Sequence, residues 1–214
     1  MSSIPPSQSI RAPEIDSTRS EQIQTAPLLA RTAELRDQYA SGADQARELH
    51  GDVQQFELDR MTLALEHEGT PTLLGRLAEA HGFAWATAAR CLGVTPTALR
   101  KWRKGEEATA ANHSKVARLL AFAELLQRLQ PRIDDAAYWL EAPVVDESTL
   151  TRVDLYRRGA FAGLLDMASE RQRPIDLLNE TVPDWRQQHA RDERFEVIWH
   201  EDGSPSITVR GDDE

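Results

Sequence analysis

The sequence predicts a mainly α fold: a helix-turn-helix within a helical domain, with a small C-terminal β-hairpin. Three observations carry this expectation. Apolar residues recur at three- and four-residue intervals in several separate segments between Pro27 and Leu178. The run Gly93-Val94-Thr95-Pro96 punctuates two short segments of that kind, with glycine where one helix must stop and Thr-Pro where the next must start. Near the C-terminus the period changes to two, as Phe195, Val197 and Trp199 alternate with Glu196 and Ile198.

Residues 1–25 are rich in Ser, Pro, Gln and Thr, with too few large apolar groups to offset the entropy of ordering, which predicts a disordered tail. Residues 26–69 predict a helical extension. Its first helix begins at Pro27, carries Leu28, Leu29, Ala33, Leu35 and Tyr39, and stops near Ser41-Gly42 or continues to Leu49-His50-Gly51. A second helix is expected from an Asp52 N-cap through Val53, Phe56, Leu58, Met61, Leu63 and Leu65 to Glu68-Gly69. Residues 70–130 form the expected DNA-binding domain. Thr70 is read as the cap of a helix starting at Pro71, with Leu73, Leu74, Leu77 and Ala80 on its apolar side and an end at His81-Gly82. The helix-turn-helix comes next. A long helix over Ala110–Leu129 then places Val116, Leu119, Leu120, Ala123 and Leu126 on one broad stripe, ended by Pro131. Residues 131–214 read as a partner-binding domain, with helices over 134–142, 151–170 and 173–180. The hairpin closes it, turning at Asp202-Gly203 before Ile207 and Val209.

Within the helix-turn-helix, residues 84–105 combine four features. Gly93 can take positive φ, Ala89 is small enough for close helix crossing, Thr95 is a good N-cap, and Pro96 suits the first helical position. Val94, Leu99 and Trp102 fall on an inward face, whereas Thr95, Thr97, Arg100, Lys101 and Lys104 fall on the other. A recognition helix in the major groove needs such residues near its N-terminus: arginine pairs bidentately with guanine, hydroxyls meet bases or phosphates, and long cations meet phosphates. Double-stranded DNA is therefore the expected partner, and those five residues the expected contacts.

A formal charge of −10 argues against a polyanionic partner, but its distribution removes the conflict. Residues 86–118 carry seven Lys and Arg against two Glu, a local net of +5, while residues 1–70 sum to −6 and residues 119–214 to −9. Charges act over roughly one Debye length, about 8–10 Å in physiological salt, so the local sign is the relevant one.

The order of segments resembles the Xre/MbcA/ParS-type antitoxins, in which a helix-turn-helix precedes a helical toxin-binding domain. The residues that carry the resemblance are the helix-turn-helix itself, Trp139-Leu140-Glu141-Ala142-Pro143, and Leu150 to Gly159 followed by Leu164, Leu165 and Met167. It covers roughly residues 70–170. The chain departs from the family pattern at Val144, where Asn is frequent, and at Arg152 or Val153, where Pro is. The resemblance implies a repressor of its own operon that also neutralises a toxin, commonly a RES-domain enzyme that consumes NAD, and that is oligomeric, here expected as a homodimer. It further implies toxin contacts around Trp139, Leu140 and Leu155; Trp199 of the hairpin is added as an aromatic suited to a partner surface. The competing reading is a protein-interaction module, a toxin neutraliser or adaptor, that does not bind DNA.

No catalytic constellation is legible, and no cofactor or metal is expected. The six histidines lack metal-binding spacing, the acidic pairs lack a tuning partner, and Gly159-Ala-Phe-Ala-Gly163 is not preceded by a strand. Cys91 reads as a small core residue, and Trp85 and Trp102 as core aromatics. One cysteine, no secretory leader pattern and no long apolar stretch lead to the expectation of a cytoplasmic protein without membrane contact.

Overall fold

The computed structural model describes residues 17–191, 195–199 and 205–209, with side chains described over 29–42 and 45–191. The protein is mainly helical. Ten helices are found among the described residues: α1 (Ser17–Leu65), α2 (Thr70–Ala80), α3 (Trp85–Leu92), α4 (Pro96–Arg103), α5 (Ala110–Leu129), α6 (Ala136–Glu141), α7 (Arg152–Arg157), α8 (Phe161–Ala168), α9 (Pro174–Thr181) and α10 (Trp185–Gln188). Phe195–Trp199 and Pro205–Val209 pair antiparallel as β1 and β2, with Phe195 opposite Val209. The expected turn at Asp202-Gly203 lies outside the described residues.

The chain divides into two compact units, Met1–Ala46 and Arg47–Glu214. This differs from boundaries at 69/70 and 130/131. α5 packs on α2 and α3 as well as on α6 and α8, so no break separates residues 70–130 from the helices beyond them. Its segment Leu119–Ala123 is wholly buried, as are Leu125 and Leu126, which is the behaviour of a helix apolar on nearly every side. Glu124, the acidic residue in that stretch, pairs with Arg76 of α2, which also holds Glu68 at 2.6 Å.

Two expectations for the N-terminal region are corrected. α1 begins at Ser17, inside the stretch expected to be a disordered tail, and passes without a break through Gly42 and Gly51. A helical glycine costs only about 1 kcal/mol relative to alanine, so it weakens a helix without stopping it. Within Arg47–Leu65 the helix has two unlike faces. Gln54, Leu58, Thr62 and Leu65 are buried, while Leu49, Val53, Phe56 and Leu63 are exposed.

At α2, Gly69 is the N-cap and gives no side-chain cap bond, so Thr70 is not the expected cap. Its hydroxyl instead meets His113 Nδ1 at 2.8 Å, and His113 Nε2 lies 3.0 Å from the Glu66 carbonyl. The neutral tautomer with hydrogen on Nε2 satisfies both bonds: the threonine hydroxyl donates to Nδ1 and Nε2–H donates to the carbonyl. One α5 side chain thereby ties together the end of α1 and the start of α2.

The helix expected over 151–170 is also corrected. It is two helices, α7 and α8, separated at Gly159 with φ +84°. The apolar period runs through the break, which is why the sequence conceals it. α7 starts with a capping box in which the Asp154 carboxylate accepts the Thr151 N–H at 2.8 Å and its hydroxyl at 2.7 Å. α6 starts at Asp135, whose carboxylate accepts the Tyr138 N–H at 2.8 Å.

Candidate nucleic-acid interface

α3 and α4 are joined by a tight turn whose geometry arises from Gly93 and Thr95. Gly93 sits at φ +67°, where a side chain would be strained. The Val94 N–H donates to the Ala89 carbonyl at 3.0 Å and the Gly93 N–H to the Arg90 carbonyl at 3.2 Å. That pair of bonds is the Schellman arrangement, and it satisfies the carbonyls left open at the end of α3. The Thr95 hydroxyl then accepts the Ala98 N–H at 3.2 Å, and Pro96 occupies the first turn of α4.

α4 is amphipathic in a way that separates support from presentation. Leu99 and Trp102 are buried against α2 and α3, together with Ala88, Ala89, Cys91 and Leu92 of α3. Thr97, Arg100, Lys101 and Lys104 are exposed at positions i, i+3, i+4 and i+7, one stripe along the helix. Thr95 is exposed at the head of that stripe. Its oxygen is used as the cap, leaving the hydroxyl hydrogen free to donate.

The cations differ in availability. The Lys101 ammonium lies 3.3 Å from the Glu106 carboxylate, so this pair must open before Lys101 can meet another anion. Arg103 lies over the Trp85 ring, 5.1 Å from its centroid, and Arg118 bonds Asp59 at 3.1 Å. Among the described residues, Arg90, Arg100, Lys104 and Lys115 make no side-chain hydrogen bond or ion pair. A pocket of about 460 Å³ beside the turn is lined by Gly93, Lys115, Arg118 and Arg157 together with Tyr156 and Phe161. Arg157 was not singled out by the sequence, because nothing local connects it to a turn more than sixty residues earlier. Burial pushes the Cys91 thiol up to about 12, so it is a thiol at neutral pH and a poor nucleophile.

The residues assigned to partner contact separate. Leu140 and Leu155, expected as partner contacts, are fully buried in the single chain. Leu140 shares the inward side of α6 with Ala136 and Ala137, and Leu155 that of α7 with Val153 and Tyr156. Trp139 is half-buried and engaged within the chain: the Arg152 guanidinium lies 4.6 Å from its ring centroid and donates to its carbonyl at 2.9 Å. Tyr138, not anticipated, is the exposed aromatic of α6. The side chain of Trp199 lies outside the described residues. Among the described residues, no group of three or more His, Cys, Asp or Glu is placed to hold a metal ion, and no helix is long and apolar enough to cross a membrane.

No protein-family model, curated protein or solved structure matches this chain.

Proposed function

We propose that this chain is a sequence-specific DNA-binding transcriptional repressor, with α3 and α4 as a helix-turn-helix and α4 as the recognition helix. The observation that carries the reading is the exposed stripe Thr97, Arg100, Lys101 and Lys104 on a helix held from behind by buried Leu99 and Trp102. Such a helix presents its N-terminal turn, with the positive end of its dipole, to a groove edged by phosphates. Arg100 is the base reader in this reading, Lys101 and Lys104 are phosphate contacts, and Thr95 and Thr97 serve either role. The Glu106 partner of Lys101 is displaced on binding, which weakens non-specific attachment more than a specific complex with many contacts.

The test is selection of bound fragments from a library that includes the DNA upstream of the chain's own reading frame, followed by titration at several salt concentrations. Affinity falls steeply with salt, and Lys104→Ala lowers the slope of log K against log salt by about 0.9. Arg100→Ala costs roughly 1–3 kcal/mol and relaxes preference at one base pair. Absence of any binding at low salt refutes the reading.

We further propose that the repressor is the antitoxin of a toxin–antitoxin pair, a non-enzymatic role that rests on the order of its segments. Tyr138, with 76% of its surface exposed, and the half-buried Trp139 are then the α6 groups available to a toxin. Co-expression with a neighbouring reading frame that is lethal alone tests this: rescue of growth supports it, and no lethal neighbour refutes it. The internal Lys101–Glu106 pair favours the second reading, a partner-binding module without DNA contact. That reading predicts rescue by the Arg100→Ala, Lys104→Ala chain together with absence of DNA binding by the unaltered one.

A further inference from the structure

The pocket beside the α3–α4 turn has a composition that core packing does not require. It lies wholly within Arg47–Glu214, where the end of α3, the first half of α5, the end of α7 and the start of α8 supply its walls. Lys115, Arg118 and Arg157 line it, and no Asp or Glu does. Like charges gathered by the fold repel one another, so three cations around one cavity favour an anion within it. Lys115 and Arg157 are exposed and make no side-chain hydrogen bond or ion pair. Arg118 is held through Nη2 by Asp59 at 3.1 Å, and its guanidinium carbon lies 5.5 Å from the Phe161 ring centroid. Its Nε and Nη1 make no hydrogen bond, so Arg118 is fixed in place with donors to spare.

Tyr156 gives a second, independent sign. It is only 5% exposed and lines the same pocket, yet its hydroxyl makes no hydrogen bond with any described residue. A buried phenol ordinarily finds a partner. Burial raises its pKa and the charge of Arg118 opposes the rise, so the hydroxyl is a neutral donor within the field of Arg118. Tyr156 also packs edge-on against Phe161, with ring centroids 4.8 Å apart, which sets aromatic surface beside the cations. We propose that this pocket binds a small organic anion, its aromatic body against Tyr156 and Phe161 and its carboxylate or phosphate held by Lys115, Arg118, Arg157 and the Tyr156 hydroxyl. The volume of about 460 Å³ falls in the range of small-molecule sites, about 300–1,000 Å³. An inorganic anion leaves the aromatic surface unused, and a neutral ring leaves the cations unpaired. A phosphate of duplex DNA supplies the charge without a free ring, because its bases are stacked inside the helix. The site stands independently of the proposed DNA binding.

Isothermal titration calorimetry of the full chain, without DNA, reads the site directly. The probes are benzoate, 1-naphthoate, phenyl phosphate and 1-naphthyl phosphate, with 1-naphthol and inorganic phosphate each carrying one feature alone. The expected result is one saturable site per chain for an aromatic anion at concentrations up to about 1 mM, at least about tenfold tighter than for either control. Comparison of the carboxylates with the phosphates identifies the anionic group. Lys115→Ala with Arg157→Ala weakens binding at least about tenfold and Tyr156→Phe about threefold or more. Arg158→Ala, an adjacent exposed cation that does not line the pocket, leaves it within about twofold. None of these side chains makes a hydrogen bond or ion pair in the chain, so circular dichroism confirms that the helices persist. Failure of all four aromatic anions to saturate, inorganic phosphate binding as tightly as they do, or full affinity in the pocket variants overturns the proposal. Loss of duplex binding by the double variant, with no binding of the aromatic anions, assigns the cations to a DNA backbone and likewise overturns it.

Discussion

Replacing Gly93 and Gly82 separates two reasons a protein can need glycine. Both have positive φ, +67° and +74°. A Cβ built on Gly93 meets nothing within 4 Å, so its cost is backbone strain alone. Left-handed backbone costs an alanine about 1–2 kcal/mol, and the lower entropy of the unfolded chain returns about 0.4–1 kcal/mol, leaving Gly93→Ala destabilised by about 1 kcal/mol. Gly93→Asn is cheaper, because asparagine tolerates this region. A Cβ on Gly82 lands 2.6–2.7 Å from all three atoms of the Asp135 carboxyl. That carboxylate caps α6, so moving it adds the loss of a cap, about 1 kcal/mol, and brings Gly82→Ala to about 2 kcal/mol or more. Urea unfolding followed by circular dichroism gives the three values. Equal losses for Gly93→Ala and Gly82→Ala, or no advantage of asparagine over alanine at 93, would refute the reasoning. On the proposed DNA-binding reading, Gly93→Asn, which keeps α4 in place, leaves DNA affinity within about twofold of the unaltered chain.

Three other perturbations have outcomes set by the packed interior. His81 is buried and its burial lowers its pKa below the usual 6.5, so the unfolded chain takes up a proton that the folded chain refuses. Its contribution to stability is therefore present above pH 6.5 and lost as pH falls below it; urea midpoints at pH 7.5 and 5.5 should differ less in His81→Gln than in the unaltered protein. Arg152→Lys should cost about 1–2 kcal/mol by thermal or urea unfolding, since an ammonium cannot both lie flat on Trp139 and donate to its carbonyl as a guanidinium does. An unchanged midpoint would show that the stacking is without consequence. Gly163→Ala drives a methyl into the buried Leu177 side chain, forcing α8 from α9 at a cost of about 1–3 kcal/mol in the same assay.

The parts of this protein legible from sequence are those whose causes lie within a turn of helix. Gly93, Thr95 and Pro96 announce one helix end and one helix start because the groups they satisfy are three or four residues away. The division of α4 into Leu99 and Trp102 on one side and Arg100, Lys101 and Lys104 on the other is periodicity alone. The extent of α1 was misjudged for a related reason: its glycines are local stop signals of modest strength, and helix continued across them.

The sequence by itself determined where α3, α4 and α5 lie and which cations α4 shows. Only the tertiary structure decided which basic side chains of this region stay unpaired, because Arg103 and Arg118 find Trp85 and Asp59 at separations that no local rule reads, while Lys101 meets Glu106 just past the end of α4. It likewise decided that Leu140 and Leu155 serve the core, and that Thr70 bonds His113 rather than capping its own helix. Apolar residues and hydroxyls take whichever partner the packed chain brings near. Burial is a property of the whole contact set, while a cap is a property of four consecutive residues.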